Sequence, residues 1–423
     1  MRGAKTVSCV EDTKNSGHLG FGVAITGSSC YNLSLMDTQQ RADLLNSLYG
    51  KDGLGFSFAR LSIGSSDYSA DIYTYDDVEN DVALEHFSVE RDDEYILPMI
   101  KEILSINPDL LLLASPWSPP GWMKSGGSVC GGYMREEYID CYADYIVKFI
   151  LAYKERGINI YALTPQNEPE TDQQGKMPAC IWTPDIEARY ILALKKKLSA
   201  AGLDTKIWMY DHNFEGEKRV DWTLGEYPQL KDACDGIAFH YYGGSIEQTE
   251  YLKKKYPSLS LHFTEGGPRL YDNYATDWCK WGIMMAKTLG SGYSSFTGWN
   301  LMLDEKGGPN VGPFFCGGLV TRNSSDGALS YSGQYKAFKH ISPFVDGKSV
   351  VYKAEISDNV NSMSVFPDLP KPLVGAVIEN SNSTVLVLVN SHSEKAQTQY
   401  FADGKWWYIE LLPNTLATVV FEK

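Results

Sequence analysis

Residues 158–169 of the chain read INIYALTPQNEP, a short β-type run that stops at turn residues around Glu168. Residues 259–268, LSLHFTEGGP, repeat this arrangement at Glu265, which is followed by two glycines and a proline. An ionised carboxylate that is buried without partners costs several kcal/mol, so a carboxylate at a strand end usually points into a polar pocket. If both runs are strands of one parallel barrel, Glu168 and Glu265 face the same mouth.

Eight β-type runs of this kind alternate with longer stretches in which apolar residues recur at helical spacing. The runs are residues 21–26, 56–63, 110–115, 158–164, 206–210, 237–241, 259–264 and 294–299. Helix candidates between them include TQQRADLLNSLYG, ERDDEYILPMIKEILSIN, EEYIDCYADYIVKFILAYKERG and ARYILALKKKLSAAG. In the last of these helices we expect Thr183 to be the N-cap, Pro184 to take the first position and Gly202 to follow the end.

Eight strand–helix alternations predict an α/β protein with a (β/α)₈ TIM barrel over residues 17–345. A doubly wound open sheet is the competing fold, but it is favoured by a glycine-rich phosphate loop after the first strand, and FGVAITGSS does not supply one.

The chain changes character after the predicted barrel. Residues 350–421 contain short alternating strands separated by Asn, Ser, Gly and Pro turns, without a helical period. This pattern is typical of an antiparallel β-sandwich. The strand-like segment AKTVSCV lies before the barrel, so we predict a smaller β-sandwich side domain formed by residues 346–423 together with about residues 1–16.

The composition argues against some classes of binding partner and in favour of others. The chain has 423 residues and a formal net charge of −15, with no Lys/Arg-rich run, which argues against nucleic acid and anionic membrane surfaces. No apolar stretch is long enough to predict a membrane-spanning segment. Ten Trp, 27 Tyr and 16 Phe suit the flat C–H faces of sugar rings, so we expect a carbohydrate substrate. The oligomeric state is not indicated.

The cysteines do not predict a metal centre. Eight cysteines are scattered without a Cys-x-x-Cys pair or a Cys/His cluster at ligand spacing, which favours reduced thiols and predicts no metal site. The first residues, MRGAKTVSCVEDTK, lack the apolar core of a secretory signal. The localisation therefore stays open between the cytoplasm and secretion with removal of a leader.

Hydrolysis of a glycosidic bond requires two carboxyl groups, which a pair of glutamates at strand ends can provide. One carboxyl group protonates the leaving oxygen and the other attacks the sugar carbon, at about 5–5.5 Å from the first in a retaining enzyme. Asn167, directly before Glu168, could hold the sugar 2-hydroxyl as positive charge develops on the ring. This chemistry needs no cofactor.

The chain resembles glycoside hydrolase family 30, a group that includes lysosomal glucosylceramidase and bacterial β-glycosidases and glucanases. The resemblance covers nearly the whole chain and lies in ARLSIGSSDYS, LLLASPWSPPGWMK, TPQNEP, FHYY, FTEGG and GWNLMLDEKGGP, in that order. It implies a barrel with an attached β-sandwich, with Glu168 as acid/base and Glu265 as nucleophile. It also implies sugar-binding roles for Asp67, Trp117, Asn167, Tyr242 and Trp299.

These implied roles make physical sense. Asp67 could accept two hydroxyl hydrogen bonds from a terminal sugar, and Arg60 would form an ion pair beneath the site. Tyr242 could donate its hydroxyl to Glu265, and we expect the negative charge of Glu265 to help keep Glu168 protonated.

The remaining polar residues near the strand ends have supporting or peripheral roles in this interpretation. His240 is expected to be a hydrogen-bonded support rather than a metal ligand, since no second histidine stands at ligand spacing. Asp211 and His212 are candidate contacts at the rim.

The resulting hypothesis is a retaining β-glycoside hydrolase that is exo-acting on β-glucosides, because Asp67 suits an end sugar. The alternatives are an endo-β-1,6-glucanase and a xylan-directed hydrolase. A catalytically inactive carbohydrate-binding protein would be indicated by loss of either glutamate, and both are present. A metal-dependent barrel hydrolase would need clustered His and Asp at strand ends, and the seven histidines are scattered.

Overall fold

In the computed structural model, which describes residues 4–357 and 373–423, strand β1 (Lys5–Asn15) precedes eight strands that close a parallel barrel. The barrel strands are β2 (Gly20–Ala24), β3 (Phe58–Ile63), β4 (Leu111–Pro116), β5 (Ala162–Leu163), β6 (Lys206–Asn213), β7 (Gly236–His240), β8 (Ser260–Glu265) and β9 (Tyr293–Gly298). Pairing of β2 with β9 completes the ring. The predicted (β/α)₈ barrel is confirmed.

Helices surround the barrel. They are α1 (Gly27–Ser34), α2 (Thr38–Tyr49), α3 (Ile96–Ile106), α4 (Ile139–Glu155), α5 (Pro184–Ala200), α6 (Glu217–Glu226), α7 (Leu230–Ala233), α8 (Glu250–Lys255), α9 (Trp278–Gly290) and α10 (Gly333–Ile341). Single 3₁₀ turns lie at Glu90–Asp93, Gly121–Met123, Glu136–Tyr138, Gln173–Gly175, Phe214–Gly216, Ile246–Thr249 and Ser342–Phe344. Within the described ranges, none of these helices combines the length and the apolar character that a bilayer crossing requires.

Local sequence explains the ends of α5. The Thr183 side chain accepts a hydrogen bond from the backbone N–H of Ile186, and Pro184 occupies the first turn. Beyond the helix, Gly202 has a φ of 65°, in the left-handed region that glycine adopts without a steric penalty. The predicted cap and stop of this helix are confirmed.

The fourth barrel strand is shorter than predicted. Residues 158–164 were the expected range, but only Ala162–Leu163 forms regular strand. Ladder-like hydrogen bonds extend it to Tyr161, which donates to Leu112 O at 2.9 Å, and to Thr164, which donates to Ala114 O at 3.1 Å. The regular pairing is interrupted there because Pro165 has no N–H to donate, and contact with β4 resumes at Asn167, whose N–H donates to Pro116 O at 2.8 Å.

The side module is one continuous, mostly antiparallel sheet. A small sheet of β10 (Met302–Asp304), β11 (Val320–Arg322) and β12 (Leu329–Tyr331) lies between it and the barrel in sequence. The side module then adds β13 (Val350–Ile356), β14 (Val374–Glu379), β15 (Ser383–Asn390), β16 (Ala396–Ala402), β17 (Lys405–Leu411) and β18 (Thr415–Glu422) to β1. Its order is β17-β16-β1-β13-β14-β15-β18.

The sheet curls until its two ends meet. The rings of Trp407 on β17 and Phe421 on β18 lie 5.5 Å apart, and Tyr400 also packs on Phe421. The curled sheet therefore encloses an apolar core of its own, as in a sandwich, although its strands form a single hydrogen-bonded sheet.

The outer face of this sheet packs on the barrel helices α9 and α10. Gly282 on α9 lies so close to Leu416 and Val389 that a Cβ there would approach their methyl groups to 3.1–3.3 Å. Trp278 Nε1 donates to Asn414 O at 2.9 Å, and Thr418 donates to His340 O at 2.7 Å. Close helix–sheet contact and these hydrogen bonds attach the side module to the barrel.

Candidate active site

Glu168 and Glu265 lie at the carboxyl ends of β5 and β8, on the same side of the barrel. A carboxylate oxygen of each lies within 4.8 Å of the other. Glu168 has a φ of 49°, a left-handed conformation that is costly for a non-glycine residue, and its N–H donates to Asp211 O at 3.0 Å. Oxygens this close suit a retaining glycosidase, whose carboxyl groups lie about 5–5.5 Å apart, better than an inverting one, in which they lie roughly 6.5–9.5 Å apart.

Two side chains hold the carboxylate of Glu265. Arg60 Nη1 donates to one oxygen at 2.5 Å, and the hydroxyl of Tyr242 donates to the other at 2.9 Å. The Arg60 guanidinium is fully buried on β3, and it also donates to Asn167 Oδ1 at 2.7 Å and to Asp211 Oδ2 at 2.8 Å. These contacts stabilise an anionic Glu265 and fix its orientation.

The sequence suggested that Asp211 lies on the rim, but it is fully buried beneath the site. Besides Arg60, it accepts hydrogen bonds from Thr164 and Thr264, each at 2.6 Å. Burial opposes the charged form, but the charges of Arg60 and His240 outweigh it and hold the pKa of Asp211 far below its usual value. A bulge in β6 and a φ of 64° turn Asp211 inward, a feature with no local sequence signal.

His240 bridges Asp211 and Glu168. Its Nε2 lies 3.0 Å from Asp211 Oδ1, and its Nδ1 lies 3.2 Å from Glu168 Oε1. Burial favours the neutral ring, but the charge of Glu265 and the two bonded carboxylates outweigh it and raise the pKa of His240 to about 9. At neutral pH the ring is therefore an imidazolium that donates to both carboxylates.

The same environment corrects an expectation about Glu168. Burial raises its pKa, but the hydrogen bond from His240 and the positive charges of His240 and Arg60 outweigh burial, so the pKa is lowered. The negative charge of Glu265 does not keep Glu168 protonated in the ligand-free protein. Its other oxygen, Oε2, accepts a hydrogen bond from Gln173 Nε2 at 2.8 Å.

Three of these residues resemble a metal-binding group. Glu168, His240 and Glu265 each offer one ligand atom, and these atoms lie within 4.8 Å of one another. The imidazolium of His240 and the guanidinium of Arg60 already supply positive charge at this point. A divalent cation would therefore have to displace a proton and compete with Arg60.

A cavity of about 340 Å³ opens above the glutamates. Its lining contains Asp67, Trp117, Asn167, Glu168, Thr171, Gln173, Met177, His212, Asn213, Tyr242, Glu265, Arg269, Trp299, Phe314 and Cys316. The rings of Trp117 and Trp299 stack at 5.2 Å and form one wall. The volume lies near the lower end of small-molecule sites, which span roughly 300–1,000 Å³.

A loop packs against Asp67, which is buried in the cavity wall. Val311 N–H donates to Asp67 O at 2.8 Å, and Gly312 lies directly against Asp67 Cβ. Burial, with the charges of Glu265 and Glu168, raises the pKa of Asp67 well above its usual range. Its Oδ1 is buried without a hydrogen-bond partner within the described residues, so the pocket presents an unfilled acceptor.

Every predicted sugar-binding residue and both glutamates line this cavity, whereas Arg60 and His240 lie beneath it. Sequence reasoning missed the central position of Asp211 and the contact of Gln173 with Glu168. It also missed Arg269, which lines the cavity with its guanidinium over the rings of Tyr242 and Phe314, at 5.4 and 5.8 Å.

Comparisons with known proteins agree with this geometry. An endo-1,6-β-D-glucanase of Neurospora crassa is 31% identical over 95% of this chain and 84% of its own length. A putative glucosylceramidase 4 of Caenorhabditis elegans is 28% identical over 96% of this chain and 81% of its own. The solved structure of the endo-β1,6-glucanase BT3312 superposes with a TM-score of 0.87 at 29% identity, covering 99% of this chain and 94% of that one.

The family assignment rests on the barrel itself. Residues 19–345 match the glycosyl hydrolase family 30 TIM-barrel domain. This range contains all eight barrel strands and every residue of the cavity. The chain therefore belongs to glycosyl hydrolase family 30 and is a retaining glycosidase.

Proposed function

We propose that the protein removes a terminal β-linked glucosyl residue by double displacement, with Glu265 as nucleophile and Glu168 as acid/base. The observation that carries this proposal is the packing of Val311 and Gly312 directly against Asp67, from which we infer that the cavity ends at that residue. A sugar bound there has no room for a further chain on the Asp67 side, which suits exo action.

The sugar would be held by the amide of Asn167, the carboxyl group of Asp67 and the rings of two tryptophans. Arg60 occupies the Oδ1 of Asn167, which leaves the Asn167 amide hydrogens free to donate to the 2-hydroxyl. The unpartnered Oδ1 of Asp67 accepts from hydroxyls at the far side of the ring. The walls of Trp117 and Trp299 provide flat faces for the C–H groups of the sugar.

The reaction follows from the two carboxylates. Glu265 attacks the anomeric carbon while Glu168 protonates the departing oxygen, and a covalent glycosyl–enzyme forms. Because Glu168 is ionised in the ligand-free protein, the reactive complex must acquire a proton before the departing oxygen can be protonated. Glu168 then deprotonates the water that releases the sugar.

A second candidate, endo-β-1,6-glucanase activity, is favoured by the names of two relatives. The Neurospora crassa enzyme and BT3312 are both called endo-1,6-glucanases, at 31% and 29% identity. The putative glucosylceramidases are similar to nearly the same extent, at 28% identity for one of them. Sequence similarity therefore does not separate the two activities, and the packing against Asp67 favours the first.

Product analysis tests the proposal. The protein is incubated with an aryl β-glucoside, an aryl β-xyloside and a linear β-1,6-glucan, with Glu265→Gln as the inactive control. We expect hydrolysis of the glucoside over the xyloside, and release of glucose from the glucan without larger oligosaccharides. A ladder of oligosaccharides at early times would support the endo-glucanase instead, and activity on the xyloside alone would contradict both.

A further inference from the structure

Gln173 contacts the proposed acid/base at the atom that has to act on the leaving group. Its amide Nε2 donates to Glu168 Oε2 at 2.8 Å, whereas the other oxygen of Glu168 is engaged by His240 at 3.2 Å. Gln173 also lines the cavity. The oxygen left to protonate a substrate is thus the one that Gln173 occupies.

Local hydrogen bonds fix the backbone of the loop that carries the Gln173 side chain. Gln173 and Gln174 both adopt the left-handed region, with φ values of 51° and 54°. The backbone N–H of Gln173 donates to Thr171 Oγ1 at 3.1 Å, and that of Gln174 donates to Asp172 Oδ1 at 2.9 Å. Non-glycine residues held in this region often lie at functional sites, because the surrounding structure must maintain the strain.

The contact cannot persist unchanged during catalysis. An ionised carboxylate accepts hydrogen bonds at both oxygens, but the oxygen that carries the catalytic proton donates that proton to the substrate. When Glu168 Oε2 takes up a proton, it loses its charge and becomes a weaker acceptor for the amide of Gln173. A half-buried donor with a weakened acceptor is unfavourable, so the reactive complex gains stability by providing a better one.

The leaving group lies where that acceptor is needed. Asp67 lies at the sugar end of the cavity, and Glu168 must touch the oxygen between the sugar and the leaving group. A side chain on the same carboxylate oxygen is therefore beside the leaving group. Asn213 lines this cavity as well, and its Oδ1 is buried without a hydrogen-bond partner in the part of the chain that the structure describes.

We propose that Gln173 is a specificity-determining residue that transfers its amide hydrogen bond from Glu168 to a hydroxyl of a sugar leaving group. This inference rests on the proposed function and adds the chemistry of the departing half of the substrate. A sugar leaving group offers hydroxyl acceptors to Gln173 and hydroxyl donors to Asn213, whereas an aryl or alkyl leaving group has no hydroxyl to offer either residue. The selection acts on the leaving group, not on the sugar that Glu265 attacks.

The test compares two substrates that share the glucosyl half. One is the β-1,6-linked disaccharide of glucose, and the other is 4-nitrophenyl β-glucoside, whose phenol departs with little acid assistance. kcat/KM, which reports the glycosylation step, is measured for the wild type, Gln173→Ala and Gln174→Ala. Gln174 is a matched control because it has the same side chain and left-handed backbone, but it is exposed and its side chain does not hydrogen-bond to Glu168.

We expect Gln173→Ala to lower kcat/KM for the disaccharide about tenfold, the value of one hydrogen bond, and to change that for the aryl glucoside less than about twofold. Gln174→Ala should leave both within about twofold of wild type. An equal fall on both substrates, or no fall on either, in Gln173→Ala would overturn this inference alone. A wild type inactive on both glucosides would overturn the inference together with the glucosyl assignment.

Discussion

The imidazolium of His240 should make the stability of the protein depend on pH in a specific window. The pKa of this fully buried ring is raised from 6.5 to about 9, chiefly because nearby carboxylates outweigh its burial. A raised folded-state pKa stabilises the fold fully below about pH 6.5, and the stabilisation is lost as pH rises through about 9. At about 1.4 kcal/mol per unit, the loss between pH 6.5 and about 10 is about 3 kcal/mol.

The assay is urea unfolding of the wild type and His240→Gln across this pH range. The difference in free energy of unfolding between the two proteins should shrink by about 3 kcal/mol as pH rises, since the glutamine carries no charge to lose.

His262→Gln is the matched control. His262 is also buried in the barrel, but burial holds its pKa well below the usual value, so it stays neutral in the folded protein and its effect should change by less than about 0.5 kcal/mol over the same range. Equal pH dependence of the two histidine variants would refute the charged Asp211–His240–Glu168 arrangement.

Two further substitutions separate binding from chemistry. Asp67→Asn should lower kcat/KM about 10²–10³-fold, because the amide nitrogen of asparagine cannot accept a hydrogen bond from a sugar hydroxyl as the carboxyl oxygen does. It should leave the urea midpoint unchanged or raised, because it removes an acidic group buried near Glu265 and Glu168. A large fall in the urea midpoint would contradict the role of Asp67 in binding. Tyr242→Phe should lower kcat about tenfold at nearly constant KM, since it removes the hydrogen bond to Glu265 and keeps the ring that packs on Tyr241. A rise in KM alone would show that Tyr242 acts on the substrate.

The barrel was predictable because its signals are local. Each strand is a short apolar run, each helix has its own apolar period, and caps such as Thr183 lie in the adjoining sequence. The order of eight alternations then leaves few possible folds. The curling of the side sheet was less accessible, since contacts such as Trp407 with Phe421 join strands at opposite ends of the sheet.

Some residues of the candidate site were likewise predictable from the sequence, and others were not. Glu168 and Glu265 stand next to turn residues at strand ends, so their positions follow from local pattern and strand order. Asp211 follows a predicted strand as a polar residue and resembles a loop position, yet the strand continues through a bulge that turns it inward. Its importance comes from partners on other strands, such as Arg60 and His240, which no local pattern reveals.

Gln173 was missed for a related reason. It lies in a loop whose sequence, TDQQGK, carries no periodic signal, and its neighbour Gln174 is chemically identical. Only its partial burial and the short distance to Glu168 distinguish Gln173 from Gln174.

The opposed roles of the two glutamates are tested most directly by trapping the covalent intermediate. The protein is incubated with an activated 2-deoxy-2-fluoroglucoside, whose leaving group departs without acid assistance. It is then digested with a protease, and the masses of the peptides are measured by mass spectrometry. We predict one added fluoroglucosyl group on the peptide that contains Glu265. An adduct on Glu168 instead, or hydrolysis of the probe with no adduct at any time, would contradict the account.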